Sequence, residues 1–419
     1  MISEKCIGRK RFTSVLQAGL VAMALFSAPL YAENGVGDDE IRLGAVLDLE
    51  GRSSALGQNM LKGMQAALKD QVIAGKKLIL LSENDSYTPD KTVAGVKKLI
   101  EQDMFLFMGN VGTPTAKVAL PLLEEKGIPA LGFFTGSGIL RPDKPLIVNY
   151  RASYRQETEA VIKSAMQAGV KPAEVCAYVQ NDAYGMSGIQ GISAALRGQK
   201  GVEQIRGSLE EILQKTGDNP KRNNIGPVGV YVRNTFRARE GYDSLKAWEK
   251  QQGVSCKLVV TVGSYSSIGH FIAYANGKGE NWVYSAVSFT GAENLLQILQ
   301  RFEIKDRVLI SQVVPFANSS APLVTEAGTA LGDDFNLISL EGYIVGRMLL
   351  YALSQLETEN KALTRENLLG VFAGQTFNLD GLNMDFSQDN QGSDFVAITK
   401  LQNDKWTAIR ESDWQRWYK

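Results

Sequence analysis

Short apolar segments alternate with segments of helical periodicity along most of this 419-residue chain. The segment EIRLGAVLD, residues 40–48, has the character of a strand that is buried on both faces. The next stretch has apolar residues at helical spacing, namely Met60, Leu61, Met64, Ala67 and Leu68. The two patterns recur in turn as far as residue 134. Repeated strand–helix units predict a parallel sheet with helices on both faces.

A second strand–helix series begins after residue 154 and continues to residue 316. Its polar, charged segment 201–224 is interpreted as an added helix and loop. Near the C-terminus, residues 339–356 predict a long helix, and residues 395–409 predict a hairpin that turns at Asn403–Asp404. The fold class is therefore α/β, with two doubly wound units in one chain.

Residues 1–32 have the pattern of a secretory signal peptide, with basic residues before an uncharged, mostly apolar stretch and cleavage after Ala32. A retained membrane anchor is the alternative, but a span needs about 20 strongly apolar residues, and Gln17, Ser27 and Pro29 interrupt this one. No later segment is judged long and apolar enough to cross a bilayer. The mature chain is therefore expected to be soluble and exported.

Charge and composition argue against several function classes. Lys plus Arg and Asp plus Glu both total 45, so there is no basic excess for nucleic acid. Removal of residues 1–32 takes away four basic residues and one acidic residue and leaves a net charge of −3. The single histidine, His270, argues against a zinc site and against a Ser–His–Asp arrangement, since no GxSxG turn accompanies it. The sequence predicts no enzyme, no metal and no cofactor.

Two turns follow neighbouring strands in the stretch 105–138. Ligands of open parallel sheets bind outside the carboxyl ends of the strands, where both turns lie. The first turn, Gly109–Gly112, has neither the GxGxxG spacing nor the lysine of a nucleotide site. Thr113 and a helix N-terminus follow, which suits a carboxylate or another small polar group. The alternative is that Thr113 is an N-cap and Gly112 serves the turn.

Cys176 and Cys256 are the cysteines that remain after the leader. An oxidising compartment permits a disulfide between them, and a 2-1-3-4-5 strand order would place their strands side by side. The alternative is two small buried thiols.

Eight segments in order resemble the solute-binding proteins of ABC transporters, in the family of the leucine/isoleucine/valine-binding protein. The likeness runs from about residue 40 to 410 and is carried by ENDSYTPDKTVAGVKKLIEQD, GNVGTPTAKVALPLLEEKGIPALGFFTGSGILR, NYRASYRQETEAVI, VQNDAYGMSGIQGI, VGSYSSIGHFIAYA, SAVSFTGAENL, SLEGYIVGRML and SQDNQGSDFVAITKL. The resemblance implies a type I periplasmic binding fold, in which three crossovers join two lobes around a ligand cleft. The crossovers should fall near Arg151, Pro315 and Met384. Lobe 1 would be 40–150 plus 317–383, and lobe 2 would be 151–316 plus 384–419.

The resemblance also implies the ligand-binding residues. The turn after the third strand would bind a ligand carboxylate through Gly112 and Thr113, and the turn after the fourth through Phe134, Thr135 and Gly136. Leu56 stands roughly where the family has an aromatic residue in its first loop, and Tyr184 and Tyr265 match the aromatic residues of lobe 2. The family's ammonium-binding acid falls near Ser288, which has no charge, so an amino acid ligand would need Asp85 or another acid.

The implied function is a monomeric periplasmic receptor that binds a small polar molecule and delivers it to an ABC permease. The ligand would be branched-chain amino acid-like, a carboxylate or an amide. The alternative is a periplasmic sensor subunit that signals occupancy to a membrane kinase or cyclase.

Overall fold

The computed structural model describes residues 33–142, 144–217 and 219–418. The signal peptide predicted for residues 1–32, with its cleavage after Ala32, lies outside the described residues.

The first sheet has six strands in the order β2-β3-β1-β4-β5-β6. All neighbours are parallel except β2, which forms an antiparallel pair with β3. Apart from that short edge strand, the order is the 2-1-3-4-5 order predicted for a doubly wound unit. The strands are β1 (Glu40–Leu47), β2 (Val72–Ile73), β3 (Lys76–Asn84), β4 (Leu106–Met108), β5 (Ala130–Leu131) and β6 (Ile147–Val148).

The second sheet repeats this order and extends it at one edge. Five parallel strands, in the order β8-β7-β9-β10-β11, are followed by the antiparallel strands β14 and β15. The strands are β7 (Val175–Gln180), β8 (Val228–Tyr231), β9 (Leu258–Val262), β10 (Val283–Ala286), β11 (Val308–Gln312), β14 (Ala397–Gln402) and β15 (Lys405–Ala408). A separate antiparallel pair consists of β12 (Thr376–Leu379) and β13 (Leu382–Asp385).

Helices surround the two sheets. In α1, the predicted apolar stripe is buried at Met60, Met64, Ala67 and Leu68, while Leu61 is half-buried. The helices are α1 (Ser54–Leu68), α2 (Pro89–Ile100), α3 (Thr113–Glu125), α4 (Tyr154–Gln167), α5 (Ala183–Ala195), α6 (Glu203–Gln214), α7 (Arg239–Gln252), α8 (Tyr265–Gly277), α9 (Ala292–Arg301), α10 (Pro322–Leu331), α11 (Leu337–Thr358), α12 (Arg365–Gly370) and α13 (Glu411–Tyr418).

The chain passes three times between the sheets, which confirms the predicted fold of two doubly wound lobes joined by three crossovers. Arg151 lies in the first crossover and Pro315 in the second, after which α10 and α11 contact α1. Met384 belongs to β13, so the third crossover begins slightly later than predicted. The first and third crossovers run side by side, because the Asn149 N–H donates to the Asn390 carbonyl at 2.8 Å.

One sequence prediction about membrane spans is wrong. Helix α11 is long and apolar enough to cross a bilayer by length and composition. However, 78% of its most apolar window is buried inside the protein. Its apolar character therefore fits a core helix that contacts α1 and α10.

Two local predictions agree with the structure, namely the C-terminal hairpin and the added helix in segment 201–224, whereas one C-terminal helix is not predicted. The hairpin β14–β15 turns at Asn403 and Asp404, whose φ values of +50° and +58° suit a two-residue turn. The added helix of segment 201–224 is α6. Helix α13 was not predicted; Trp414 and Trp417 bury its apolar face.

Cys176 and Cys256 are joined by a disulfide in the structure, with their Cα atoms 5.8 Å apart. Cys176 lies in β7 opposite Val259 of β9, and Cys256 lies just before β9. The strand order thus brings the two cysteines together. The bond closes a loop across a sequence separation of 80 residues in the second sheet.

We expect replacement of both cysteines, Cys176→Ser with Cys256→Ser, to lower the free energy of unfolding by about 2–4 kcal/mol, because the unfolded chain regains the entropy of the open loop. Thermal unfolding with and without reductant measures this. Reductant should destabilise the parent and leave the double variant unchanged. Two free thiols in the denatured, unreduced parent would contradict the bond.

Candidate functional site

The turns after β4 and β5 lie against each other. The Gly112 N–H donates to the Phe134 carbonyl at 3.2 Å. The hydroxyl oxygens of Thr113 and Thr135 are 2.7 Å apart, and both side chains are fully buried. These hydroxyls and the N-terminus of α3 therefore form one polar corner at the carboxyl edge of the first sheet.

The helix start at this corner differs from the prediction. Gly112 is the N-cap of α3, with φ +101°, and Thr113 is the first helical residue. The interpretation of Thr113 as the capping residue is therefore wrong. Its hydroxyl instead meets that of Thr135, which stands on the neighbouring turn.

Gly112 and Gly136 permit close approaches of backbone and aromatic rings. A Cβ atom on Gly112 would lie 2.2 Å from Cε2 of Tyr87, and one on Gly136 would lie 2.7 Å from the Tyr154 nitrogen. Real side chains do not tolerate such distances. The two glycines thus allow Tyr87 and the start of α4 to lie against the polar corner.

Five buried rings from both lobes form an interlobe aromatic cluster: Tyr87, Phe134, Tyr154, Tyr184 and Phe289. The Phe289 centroid lies 5.1 Å from Phe134 and 4.9 Å from Tyr184, and Tyr184 lies 4.9 Å from Tyr154. Tyr87 has φ +55°, which is unusual for a residue with a side chain. The structure thus brings the predicted residues Phe134 and Tyr184 together between the lobes.

Leu56 of the first lobe and Tyr265 of the second both lie beside Gly291. Leu56 lies in the first turn of α1 and not in a loop, and Tyr265 begins α8. A Cβ on Gly291 would lie 3.0 Å from Cδ2 of Leu56 and 3.6 Å from Cδ1 of Tyr265, so both side chains contact this glycine. Tyr265 is half-buried, and burial raises the pKa of its hydroxyl.

The Asp85 carboxylate forms hydrogen bonds with residues of its own turn and of the helix that follows. Its carboxylate accepts hydrogen bonds from the Tyr87 N–H and from the Thr92 hydroxyl, both at 2.8 Å. Burial raises the pKa of Asp85 to about 6. These contacts assign Asp85 to the support of Tyr87, which lies in the aromatic cluster.

Ser288 has a carboxylate beside it, although its own side chain is uncharged. Glu157, from α4, accepts the Ser288 N–H at 2.7 Å and the Ser288 hydroxyl at 3.0 Å. The Ser311 hydroxyl donates to the same carboxylate at 2.5 Å. An acid is thus present near Ser288, but three donors already occupy its oxygens.

Arg151 lies next to this carboxylate and is 1% exposed. Its Nη2 atom contacts the Ser288 hydroxyl and is 3.7 Å from Glu157 Oε1. Its guanidinium carbon lies 4.8 Å from the centre of the Phe134 ring. A buried cation therefore stands among the predicted ligand-binding residues.

Glu341 of α11 faces Arg151 from the other lobe, with Oε1 3.6 Å from Nη1. Burial raises the pKa of Glu341 to about 7, while the attraction of Arg151 opposes the shift. A cavity of about 20 Å³ is lined by Phe134, Ser288, Gln312 and Glu341, among others. Arg151 thus lies between two buried acids: Glu157, which accepts three hydrogen bonds, and Glu341, which is 3.6 Å from the Nη1 atom of Arg151.

Sequence reasoning missed Arg151, Glu157, Glu341 and three rings of the aromatic cluster. The sequence predicts only a crossover at Arg151, and it contains Glu157 only within NYRASYRQETEAVI, one of the segments that carry the family resemblance. Glu341 offered a signal, since it is a lone acid inside the apolar stretch of α11. Burial of such an acid demands a partner, but the sequence does not say which cation supplies it.

Residues 40–210 match the model of the periplasmic binding protein family. This match spans 171 of the 419 residues and is a similarity over those residues. No curated protein matches the chain. Among solved structures, the chain is similar to a possible leucine/isoleucine/valine-binding protein from Rhodopirellula baltica, with 29% identity and a TM-score of 0.76 over 89% of this chain and 97% of that one.

Two more distant structures share the fold. A branched chain amino acid ABC transporter from Thermus thermophilus with bound valine has 15% identity and a TM-score of 0.69, over 91% of this chain and 100% of that one. A solute binding protein from R. palustris in complex with 4-hydroxybenzoate has 16% identity and a TM-score of 0.68, over 89% and 96%. These likenesses establish the type I fold for the two lobes.

The buried Glu341 should make the stability of this protein depend on pH. Its folded pKa is raised from 4.5 to about 7, so its contribution is fully present below pH 4.5 and is lost as pH rises toward 7. Glu341→Gln mimics the neutral acid. The stability of this variant relative to the parent should therefore rise over that range, by at most about 1.4 kcal/mol per pH unit.

Denaturant unfolding of both proteins between pH 4.5 and 8 measures the difference. The exposed Glu366→Gln serves as control and should follow the parent at every pH. Parallel curves for Glu341→Gln and the parent would show that Glu341 does not titrate in this range.

Proposed function

We propose that this protein is a periplasmic receptor that captures a small polar solute between its two lobes and delivers it to an ABC permease. The observation that carries the proposal is the convergence of polar and aromatic groups from both lobes. Thr113 and Thr135 stand on the first lobe, and Tyr184, Tyr265 and Ser288 on the second. A ligand held by both groups would favour the closed arrangement of the lobes.

The proposal includes a division of the chain into 40–150 plus 317–383 for lobe 1 and 151–316 plus 384–419 for lobe 2. It also includes export through a signal peptide cleaved after Ala32, a monomeric state and no catalysed reaction. Family resemblance supports the periplasmic compartment. A permease is the proposed partner because solved relatives are described as parts of ABC transporters.

A thermal-shift screen of the mature protein, residues 33–419, against amino acids, organic acids and amides tests the proposal. A ligand at 100 times its Kd should stabilise the folded state by about 2.7 kcal/mol. A clear rise in Tm with one chemical class supports a receptor. No rise with any small solute would contradict it. Genes for a permease and an ATPase beside this one would favour transport over a sensor role.

For the solute found in this way, we expect Thr113→Val to weaken binding about tenfold or more. The variant keeps the shape and removes a hydroxyl, and a hydrogen bond to a charged group is typically worth about 1.5–3 kcal/mol. Tyr265→Ala should weaken binding comparably from the other lobe, through lost ring contact. Calorimetry measures both variants.

The matched control is Thr329→Val, an exposed threonine in α10. It should bind like the parent. If Thr113→Val and Tyr265→Ala fold and also bind like the parent, the ligand does not bind between these two residues.

A further inference from the structure

We propose that the ligand of this receptor is a carboxylic acid without an ammonium group, and that its carboxylate binds Arg151. This inference rests on the proposed receptor function and specifies the solute class. It follows from the hydrogen bonding, charge and surroundings of one buried guanidinium.

Arg151 has donors that the protein leaves without acceptors. A guanidinium carries five N–H groups in a planar fork. Nε and Nη1 of Arg151 are buried and have no hydrogen-bond partner in the structure. An unpaired buried donor is costly, and an ionised carboxylate oxygen is the strongest acceptor for a guanidinium N–H.

Neither neighbouring acid satisfies these two nitrogens. The oxygens of Glu157 accept from Ser288 and Ser311 and lie nearest to Nη2. Glu341 Oε1 is 3.6 Å from Nη1, which is beyond hydrogen-bonding distance. Arg151 therefore lacks an acceptor for its Nε–H and Nη1–H groups.

The same arrangement disfavours an ammonium group. A ligand amine near Ser288 would stand beside the Arg151 cation in a region shielded from water, where like charges repel strongly. The Glu157 oxygens that could have held it already accept three hydrogen bonds. The uncharged Ser288 adds no compensating charge.

The surroundings suit an apolar body attached to the carboxylate. The Phe134 and Tyr154 ring centres lie 4.8 and 5.8 Å from the guanidinium carbon, and Phe289 lies against Phe134. The adjoining cavity of about 20 Å³ has room for about one water molecule. A solute of several carbon atoms therefore enters only when the lobes part and the rings separate.

Charge balance predicts that binding takes up a proton. With a ligand carboxylate on Arg151, an ionised Glu341 would add a second uncompensated negative charge beside Glu157. The groups that face Glu341 are Arg151, Glu157, Arg141 and Tyr150, and burial raises the pKa of Glu341 to about 7. Acid binding should therefore tighten as pH falls from 8 to 6, by up to about tenfold in total and mostly above pH 7.

Calorimetry on the mature protein with matched solutes tests the proposal. The probes are 4-methylpentanoate, L-leucine and 4-methylpentanamide, with 3-phenylpropanoate and L-phenylalanine as a second set. At least one acid should bind at least tenfold tighter than its amino acid, and 4-methylpentanoate tighter than its amide. An amino acid or amide that binds as tightly as its acid overturns the proposal.

Failure of this proposal can be distinguished from failure of the receptor function. If neither acid binds but another solute class raises Tm, the solute class proposed here is wrong and the receptor function stands. If no solute of any class binds, both are wrong.

Two variants identify the groups involved. Arg151→Lys keeps the charge but loses the planar guanidinium with its several N–H donors, so it should weaken acid binding about tenfold. The matched control is Arg347→Lys, which should leave acid binding unchanged because Arg347 pairs with Glu326 and Asp380. Glu341→Gln should bind the acid with an affinity that no longer changes between pH 6 and 8. A parent protein whose acid affinity is flat over this range overturns the assignment, whether or not Arg151→Lys folds.

Discussion

Parallel strands end at the same edge of a sheet, and the arrangement of this molecule follows from that constraint. In the first sheet, β4 and β5 deliver the turns of Thr113 and Thr135 to one edge. In the second sheet, β7 and β10 deliver Tyr184 and Ser288 to the corresponding edge. Because the strands cannot end elsewhere without losing their parallel order, polar groups and rings from distant parts of the chain become neighbours.

The charged groups around Arg151 differ from an ordinary surface ion pair because they are buried between the lobes. Arg151 stands in a crossover, Glu157 on a helix of the second lobe and Glu341 on a helix of the first. All three groups are buried in this structure, and their desolvation opposes the favourable burial of the aromatic cluster. A solute that offers Arg151 a better partner would offset part of this cost. Ligand binding and lobe closure would then be coupled through one cation.

The sequence was sufficient for the fold because strand–helix periodicity repeats over many residues. It located both turns, and Thr113, Thr135 and Tyr184 lie where parallel order puts them. It was insufficient for Arg151, Glu157 and Glu341, whose meeting depends on crossovers and helix positions far apart in sequence. It placed Leu56 in a loop instead of a helix, because helix ends depend on capping contacts that periodicity does not register.

The disulfide lies within the second sheet, so it constrains the unfolding of the second lobe and not that of the first. Cys176 and Cys256 link β7 to the start of the neighbouring strand β9, and their loop contains β8, α5, α6 and α7. The bond therefore raises the free-energy cost of disordering the second lobe. Arg151 lies in the crossover that leads into this cross-linked lobe, so the cross-link also supports one side of the interlobe site.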